Sequence, residues 1–252
     1  MKPSQFFYAL LVCTLCSGCI VGFAHYQVEN GRWAFVQWDE GNGRHVMYVD
    51  GADSATFRQL DDPEYAADKN SAFWRSQKIK NADGATFAHI SGGFWRDSQR
   101  VFFEFREIPG ADPATLRPFP ISPWARDKKD AYRANQPMHA EDLSTFTPID
   151  ITWAKDAKAY YAIRFSEEEK KVPCDYESFV VLNSGYAKDK NRAYWEGMPI
   201  EGSDPASFLV LNENRADDKS HQYIGDRIMK PYSQLKPNQA PDPTPPSGVG
   251  HL

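Results

Sequence analysis

The sequence predicts an all-β protein built from tandem repeats of about 30 residues, forming either a propeller-like or an open array of β units. One five-residue phrase recurs six times and reads Asp, two variable residues, Ser or Thr, and then Phe or Leu. Successive copies end 30, 29, 30, 33 and 29 residues apart. A fixed period of this size is typical of stacked supersecondary units. The copies are Asp53–Phe57, Asp83–Phe87, Asp112–Leu116, Asp142–Phe146, Asp175–Phe179 and Asp204–Phe208.

The first half of each repeat predicts a β-hairpin. An aromatic residue is followed three positions later by Asp, then by a polar turn and by one or two further aromatics, as in Tyr65–Trp74 and Tyr186–Trp195. Aromatic runs around a short Asp-bearing and Asn-bearing break are typical of hairpins. We interpret Trp153–Tyr161 as the same pattern shortened by one residue. Hairpins are therefore expected near Asp68, Asp97, Asp127, Asp156 and Asp189.

The second half predicts one capped helical turn and a short third strand. The Asp that opens the five-residue phrase is a good N-cap, and Pro113 and Pro205 stand at the first helical position. The Phe or Leu that ends the phrase is expected to fill the core. Another apolar residue follows three positions later and marks the third strand: Leu60, Ile90, Phe119, Ile149, Leu182 and Leu211.

At these positions the chain resembles the DKNYY family of bacterial repeat proteins. Asp68-Lys69-Asn70 with Phe73-Trp74, and Asp189-Lys190-Asn191 with Tyr194-Trp195, carry the phrase that gives the family its name. The resemblance extends from about Trp33 to Leu211, with a degenerate last copy between Ala216 and Ile228. It implies a cell-envelope protein, often lipidated, with no established activity to assign to any residue.

The N-terminus predicts a lipoprotein signal peptide over residues 1–18. Lys2 is followed by the apolar run Phe6–Cys16, which is too short to span a bilayer, and then by the small pair Ser17-Gly18 and by Cys19. Cys19 is the expected site of lipidation, with acyl chains such as palmitate. Because Ile20 rather than Asp follows it, the resemblance points to the outer membrane, facing the periplasm. An uncleaved anchor or a soluble secreted protein is the alternative.

The remaining organisation follows from composition. We expect a tether over residues 19–32, a repeat domain of about six to seven units over residues 33–232, and a disordered Pro-rich tail over residues 233–252. The chain has 29 basic and 34 acidic residues, a net charge of −5, without the basic surface of a nucleic-acid-binding protein. After loss of the signal and lipidation of Cys19, Cys174 is the single free thiol, so no internal disulfide is expected.

The recurring Asp residues invite a comparison with calcium-binding repeats. Calcium loops supply several oxygen ligands within a few residues, whereas each turn here offers one carboxylate beside a Lys. Turn formation and capping explain both sets of Asp, so no metal and no cofactor is expected. The six histidines form no metal-binding or nucleophile motif, and Cys174 is expected to be a packed thiol.

The adjacent aromatic pairs supply the candidate partner-binding residues Trp74, Tyr161 and Trp195. On a strand one member of each pair faces each way, so outward members form an exposed row or pack between units. Asp175 stands 19 positions after Asp156, where the regular copies have 15, and this insertion, Arg164–Val172, is either a solvated loop or a contact loop.

The predicted function is a non-enzymatic binding or scaffolding role for a lipid-anchored envelope protein. Its partners are the membrane, through Cys19, and an unidentified protein or glycan. The alternative is a periplasmic immunity or inhibitor lipoprotein that blocks a toxic enzyme. An enzyme acting on envelope sugars or lipids is disfavoured, because the sequence contains no catalytic constellation.

Overall fold

The computed structural model describes residues 24–39, 41–162 and 170–231, and over these residues the protein is a series of seven small antiparallel sheets. The chain divides after Lys78 into two compact units. The first unit holds two sheets. Sheet 1 consists of β1 (His25–Glu29), β2 (Arg32–Asp39) and β3 (Gly43–Tyr48), and sheet 2 of β4 (Arg58–Gln59), β5 (Tyr65–Ala67), β6 (Ala72–Trp74) and β7 (Gln77–Lys78).

The second unit holds the other five sheets, each a meander in chain order. Sheet 3 consists of β8 (Ala88–Ser91), β9 (Phe94–Arg96), β10 (Val101–Phe103) and β11 (Arg106–Glu107). Sheet 4 consists of β12 (Arg117–Pro118), β13 (Trp124–Arg126), β14 (Ala131–Arg133) and β15 (Gln136–Pro137). Sheet 5 consists of β16 (Thr147–Pro148), β17 (Trp153–Lys155) and β18 (Tyr160–Ala162).

The last two sheets complete this unit. Sheet 6 consists of β19 (Val180–Val181), β20 (Tyr186–Lys188), β21 (Ala193–Trp195) and β22 (Met198–Ile200). Sheet 7 consists of β23 (Leu209–Val210), β24 (Arg215–Asp217), β25 (His221–Ile224) and β26 (Arg227–Pro231). One 3-10 helix, Tyr176–Ser178, precedes sheet 6.

The structure confirms the all-β repeat fold and the predicted hairpins. It also corrects how the pieces of a repeat combine. The short strand after the capped turn does not follow the preceding hairpin into its sheet. It is the first strand of the next sheet, as when β4 pairs with β5. The second hairpin strand is also shorter than expected, because a tight turn at Arg75 (φ 53°) returns the chain into a fourth strand.

The opening phrases form single turns, as predicted. In the first copy the N–H groups of Thr56 and Phe57 both donate to the carbonyl oxygen of Asp53, at 3.1 and 2.9 Å. The copy at Asp175 is regular enough to form the 3-10 helix, whose N-cap side chain accepts from the N–H of Ser178. Each turn delivers its last residue to the core, and these residues are all buried: Phe57, Phe87, Leu116, Phe146, Phe179 and Phe208.

Within each unit the cores lie between consecutive sheets. Trp124 of sheet 4 packs with Phe146, which precedes sheet 5, and Trp153 of sheet 5 packs with Phe179. Small residues on the opposing faces, such as Ala154, make room for these rings. Because strand side chains alternate between faces, one sheet contributes to the core on each side of it.

Sheet 7 ends the series with a different surface. Where sheets 2–6 carry a buried aromatic residue at the start of the first hairpin strand, sheet 7 has the exposed Arg215. Met229 occupies the place of the buried Ile200 and is 53% exposed. Arg215 and Met229 thus make this face of sheet 7, the last sheet of the described residues, more exposed than the same face of sheet 6.

The repeat domain also begins earlier than predicted. β1 lies inside the segment interpreted as a tether, and its Tyr26 is buried in the core between sheets 1 and 2. The alternation around Tyr26 and Val28, followed by the turn at Asn30-Gly31, is the sequence signal for this strand. The predicted signal peptide, Cys19 and the tail over residues 233–252 lie outside the described residues.

Candidate functional site

The most regular feature of the molecule is a set of six buried aspartates, one in each hairpin turn of sheets 2–7. None is more than 6% exposed. In each, Oδ1 accepts from the backbone N–H groups two and three residues later, at 2.6–2.9 Å, and so closes the turn. The six are Asp68, Asp97, Asp127, Asp156, Asp189 and Asp218.

The second oxygen of each buried aspartate bonds its hairpin to the five-residue phrase that precedes the hairpin in the chain. Oδ2 accepts from the backbone N–H of the opening Asp, 14 or 15 residues earlier, at 2.5–3.0 Å. We call this arrangement the Asp lock. In four sheets a buried tyrosine five residues after the lock Asp also donates to Oδ2, at 2.6–3.0 Å: Tyr132, Tyr161, Tyr194 and Tyr223.

The other recurring polar residues complete the same contact. The Ser or Thr of the opening phrase accepts, through Oγ, from the N–H of the residue after the lock Asp, at 2.9–3.3 Å. In four repeats that next residue is a lysine whose Nζ lies 2.6–3.0 Å from the opening Asp, as in Lys128 with Asp112. Every recurring polar position is therefore engaged in joining a turn to its hairpin.

These contacts control the ionisation of the carboxylates. The hydrogen bond from Lys128 holds the pKa of Asp112 at about 2. Burial opposes the ionisation of Asp156, but hydrogen bonds from Tyr161 and from backbone N–H groups outweigh it and keep the pKa of that carboxyl below its ordinary value. Burial and the bond to Asp156 raise the pKa of Tyr161. Asp156 thus stays charged while Tyr161 stays protonated.

The described ranges contain no group of three or more His, Cys, Asp or Glu side chains placed to hold a metal ion. Cys174 is half-buried, and burial raises the pKa of its thiol to about 11. Within the same part of the chain no helix has the length and apolar character needed to cross a bilayer.

The structure corrects the assignment of Tyr161 as a partner-binding residue. Its side chain is 1% exposed, and its hydroxyl donates to Asp156 at 2.6 Å. The error lies in the alignment of this repeat, because its hairpin is not shortened: Tyr161 stands five residues after its lock Asp, as Tyr194 does. The residue equivalent to Trp195 is instead Ala162.

Trp74 and Trp195 are half-buried, and each has specific contacts within the fold. Trp74 Nε1 donates to Glu64 at 3.2 Å, and the guanidinium of Arg75 lies 4.6 Å from the centre of its ring. Trp195 covers the backbone of Gly185, where an added Cβ would lie 2.1 Å from the ring, and also contacts Gly225 of sheet 7. Whether either residue contacts a partner stays a prediction.

The row to which these tryptophans belong is not continuously aromatic. The equivalent positions in sheets 2–7 are Trp74, Phe103, Arg133, Ala162, Trp195 and Ile224. Phe103 packs edge-on against Phe94, and Arg133 Nε donates to the carbonyl of Ile151 at 2.7 Å. The row therefore contains packing and hydrogen-bonding residues of different chemistry.

A different set of side chains forms an exposed apolar feature of the second unit. Six aliphatic side chains, each 36–61% exposed, follow the buried Phe of the last three repeats. Val180 and Leu182 follow Phe179 at the first and third positions, and the same holds for the residues after Phe208. We call this set the aliphatic ridge: Ile149, Ile151, Val180, Leu182, Leu209 and Leu211.

The ridge residues lie on or beside the edge strands of three neighbouring sheets. β16, β19 and β23 are each the first strand of their sheet. The loops that follow them are in contact, because Asn183 Nδ2 donates to the carbonyls of Asn212 and Glu213, both at 3.3 Å. Trp153 Nε1 of sheet 5 donates to the carbonyl of Asn183 at 3.1 Å. The three pairs of ridge residues therefore lie next to loops that are hydrogen-bonded to the adjacent sheet.

Sequence reasoning identified half of the ridge without recognising its exposure. Ile149, Leu182 and Leu211 were expected from their spacing to mark a third strand, but their outward direction was not foreseen. The sequence did contain a signal for this exposed apolar set, at the position directly after the Phe or Leu that ends each five-residue phrase. That position holds Arg58, Ala88 and Arg117 in the earlier repeats, and Val180 and Leu209 in the last two.

The repeats match a known family. The family model of DKNYY matches this chain twice, over residues 35–162 and 94–227. The two overlapping matches cover all of sheets 2–6 and most of sheets 1 and 7, and are consistent with a repeated unit. No curated protein and no solved structure matches the chain.

Proposed function

This chain belongs to the DKNYY family, and we propose that it is a non-enzymatic binding or scaffolding protein held on the bacterial cell envelope by a lipid on Cys19. The observation that carries the binding role is the aliphatic ridge on three adjacent sheets of the second unit. The repeated polar residues support the scaffold part of the proposal, because their hydrogen bonds are made to the turns and hairpins of the fold itself.

The chemistry of the ridge favours a protein partner over a glycan. Sugar-binding surfaces combine stacked aromatic rings with side-chain hydrogen bonds, whereas the ridge presents only Ile, Val and Leu. Contiguous exposed apolar surface on a globular protein marks interaction sites. Displacing water from aliphatic surface contributes about 25 cal/mol per Å² of area buried, and this gain is largest against another apolar protein surface.

The proposed anchor rests on the sequence alone. A basic residue, a short apolar run and two small residues precede Cys19. If Cys19 carries the lipid, Cys19→Ser will no longer incorporate a fatty-acid probe and will move from the membrane to the soluble fraction. Cys174→Ser is the matched control and should label like the natural chain. Equal labelling of both variants would contradict the anchor without bearing on the ridge.

The binding role is tested by photocrosslinking in living cells. A photoreactive phenylalanine analogue placed at Leu209 should give covalent adducts, whereas the same analogue at Val28 should not. Val28 is a matched control because it is exposed to a similar extent, 57% against 61%, but lies in sheet 1. The mass of an adduct identifies its partner, and an adduct with a toxic enzyme would favour the inhibitor role. No adduct at Leu209, Leu182 or Ile151 would overturn a binding role for the ridge.

A further inference from the structure

We propose that the tip of the hairpin formed by β2 and β3 contacts the membrane surface that holds the chain, with Trp38 lying among the lipid headgroups. This inference rests on the proposed lipid anchor at Cys19 and goes further by naming a second, non-covalent contact with the bilayer. It depends on the length of chain between Cys19 and β1, on the register of sheet 1 and on the exposure of Trp38.

The chain between the anchor and the fold is short. Ala24, the first described residue, stands five positions after Cys19. A fully extended chain covers at most ~3.6 Å per residue, so Ala24 lies no more than about 18 Å from the lipidated residue. The headgroup layer on each side of the hydrocarbon core is itself roughly 5–8 Å thick. With a lipid on Cys19, sheet 1 is therefore held at the bilayer surface.

The residues of this link are apolar. Between Cys19 and Ala24 the sequence contains Ile20, Val21, Phe23 and a glycine, without a charged side chain. Burial of apolar side chains next to an acyl chain adds to membrane binding. The link therefore favours a position of sheet 1 close to the membrane.

The register of sheet 1 places the hairpin tip at the end of the sheet where the chain enters. β1 begins at His25, which pairs with Val36 of β2. Trp38 lies two residues further along β2, about 7 Å beyond that pair at the usual rise of a strand. β2 and β3 continue past the beginning of β1 as a two-stranded ribbon, up to the pair of Asp39 and Gly43. The ribbon therefore extends from the end of the sheet to which the anchor is attached.

Trp38 is the exposed aromatic side chain of this ribbon. It is 52% exposed, whereas the other six tryptophans of the chain are buried or half-buried. Its cross-strand neighbour Arg44 reaches back along the sheet to an ion pair with Glu29, the last residue of β1. Trp combines an apolar ring with one polar N–H, and it is enriched where proteins meet the headgroup layer. A membrane surface therefore suits this side chain.

The polar groups of the tip are engaged within the hairpin. Asp39 Oδ1 accepts from the N–H groups of Gly41 and Asn42, at 3.0 and 2.6 Å. Nε2 of His45 lies 2.9 Å from Asp39 Oδ2. A polar group that already has partners loses less free energy when it leaves water. β1, β2 and β3 together hold two acidic and two basic residues, so the contact depends on Trp38 and not on attraction to anionic lipid.

Quenching by labelled lipids tests the contact. In a Cys174→Ala background, an environment-sensitive fluorophore on Asn42→Cys of the lipidated chain should be quenched in phosphatidylcholine vesicles that contain headgroup spin-labelled lipid. Val28→Cys is the control, because Val28 is 57% exposed in the same sheet but lies towards the far end of β1, and its probe should not be quenched. Trp38→Ala should remove the quenching at Asn42. Equal quenching at the two sites would overturn the proposal, as would quenching that persists in Trp38→Ala.

Hydrogen exchange provides a second measurement that needs no probe. The amides of residues 41–43 should exchange more slowly in the lipidated chain on vesicles than in the soluble Cys19→Ser variant. Trp38→Ala should remove this slowing without changing the melting temperature, because Trp38 is exposed. The turn at Asn30-Gly31, at the far end of β1, is the internal control and should exchange equally in both forms. Equal exchange at residues 41–43 would overturn the proposal.

The outcomes separate this inference from the anchor on which it rests. An acylated chain whose tip is neither quenched nor protected would leave the anchor at Cys19 standing and this inference wrong. A chain that is not acylated would overturn both. A photoreactive group at Trp38 that crosslinks in cells to a protein and not to lipid would assign the tip to a protein partner, and it would equally overturn the membrane contact.

Discussion

The carboxylate of Asp127 accepts the backbone N–H of Asp112 at 2.5 Å, 15 residues earlier in the chain. The same carboxylate closes its own hairpin turn through the N–H groups of Lys129 and Asp130. One buried side chain therefore satisfies three backbone donors and one tyrosine hydroxyl. The three backbone bonds recur in each of sheets 2–7, and the tyrosine bond recurs in sheets 4–7.

Replacement of a lock Asp should destabilise the protein strongly. Asp127→Ala leaves three backbone N–H groups and the hydroxyl of Tyr132 without their acceptor in a buried site, so we expect a loss of about 2–5 kcal/mol in the free energy of unfolding. Urea denaturation followed by tryptophan fluorescence measures this loss. Asp112→Ala removes a partly buried cap and an ion pair with the exposed Lys128 but keeps the backbone N–H that Asp127 binds, and its smaller effect is the control. Equal losses for the two variants would contradict the lock.

The tyrosine of the lock can be tested by exchange in both directions. Sheets 2 and 3 carry Phe73 and Phe102 where sheets 4–7 carry Tyr. Tyr194→Phe removes a hydrogen bond to a carboxylate and should lower stability by about 1–3 kcal/mol. Phe73→Tyr places a hydroxyl beside Asp68 and should raise stability by up to about 1 kcal/mol. A loss of stability in Phe73→Tyr would mean that sheet 2 lacks the space found in sheet 6.

Stability should fall in acid over a defined range. The folded-state pKa of Asp112 is about 2, and hydrogen bonds also lower the pKa of Asp189 and Asp218 despite their burial. A carboxyl with a lowered folded pKa stabilises the fold above its unfolded pKa, near 3.9, and this contribution is lost as pH falls towards the folded value. Urea midpoints should therefore be constant from pH 7 to 5 and decrease from pH 4 to 2. In Asp189→Asn the decrease should be shallower.

Truncation of the adjacent residues Phe208 and Leu209 should reduce stability to very different extents. Phe208 is 5% exposed and packs against Tyr186 and Tyr223, so Phe208→Ala should destabilise the fold by about 3–5 kcal/mol. Leu209 is mostly exposed, and Leu209→Ala should change stability by less than about 0.5 kcal/mol. Thermal melting distinguishes them. A large loss in Leu209→Ala would mean that the ridge belongs to the core.

A double-mutant cycle tests the contact between Trp195 and Gly185. Gly185→Ala would place a Cβ 2.1 Å from the Trp195 ring, so we expect it to displace the ring and to destabilise the fold by about 1–3 kcal/mol. In a Trp195→Ala background the same change should have little effect, because the clash is gone. Additive losses would place the ring away from Gly185 in solution.

The sequence was sufficient to predict the repeats, the hairpins and the buried Phe and Leu residues that end the five-residue phrases, because each depends on local spacing and turn chemistry. It could not reveal that the short strand after Phe57 pairs with the hairpin that follows. In a repeating sequence each such strand lies between two hairpins, and the spacing does not show which of the two it pairs with. The identity of the buried member of a pair depended on counting from the lock Asp, and for Tyr161 that count was one residue wrong. Whether Leu182 is buried or exposed depends on whether a neighbouring sheet covers it. The residues around Leu182 in the sequence do not contain this information.

The Asp lock joins positions that are separated by only 14 or 15 residues, about half of one repeat. Contacts of such short range close small loops, and proteins dominated by them fold rapidly. A sheet of this type can be completed as soon as its own 30 or so residues are available, before the rest of the chain exists. Duplication or loss of one whole repeat therefore preserves every internal bond of the others, so that the length of the array can change during evolution in steps of a single sheet.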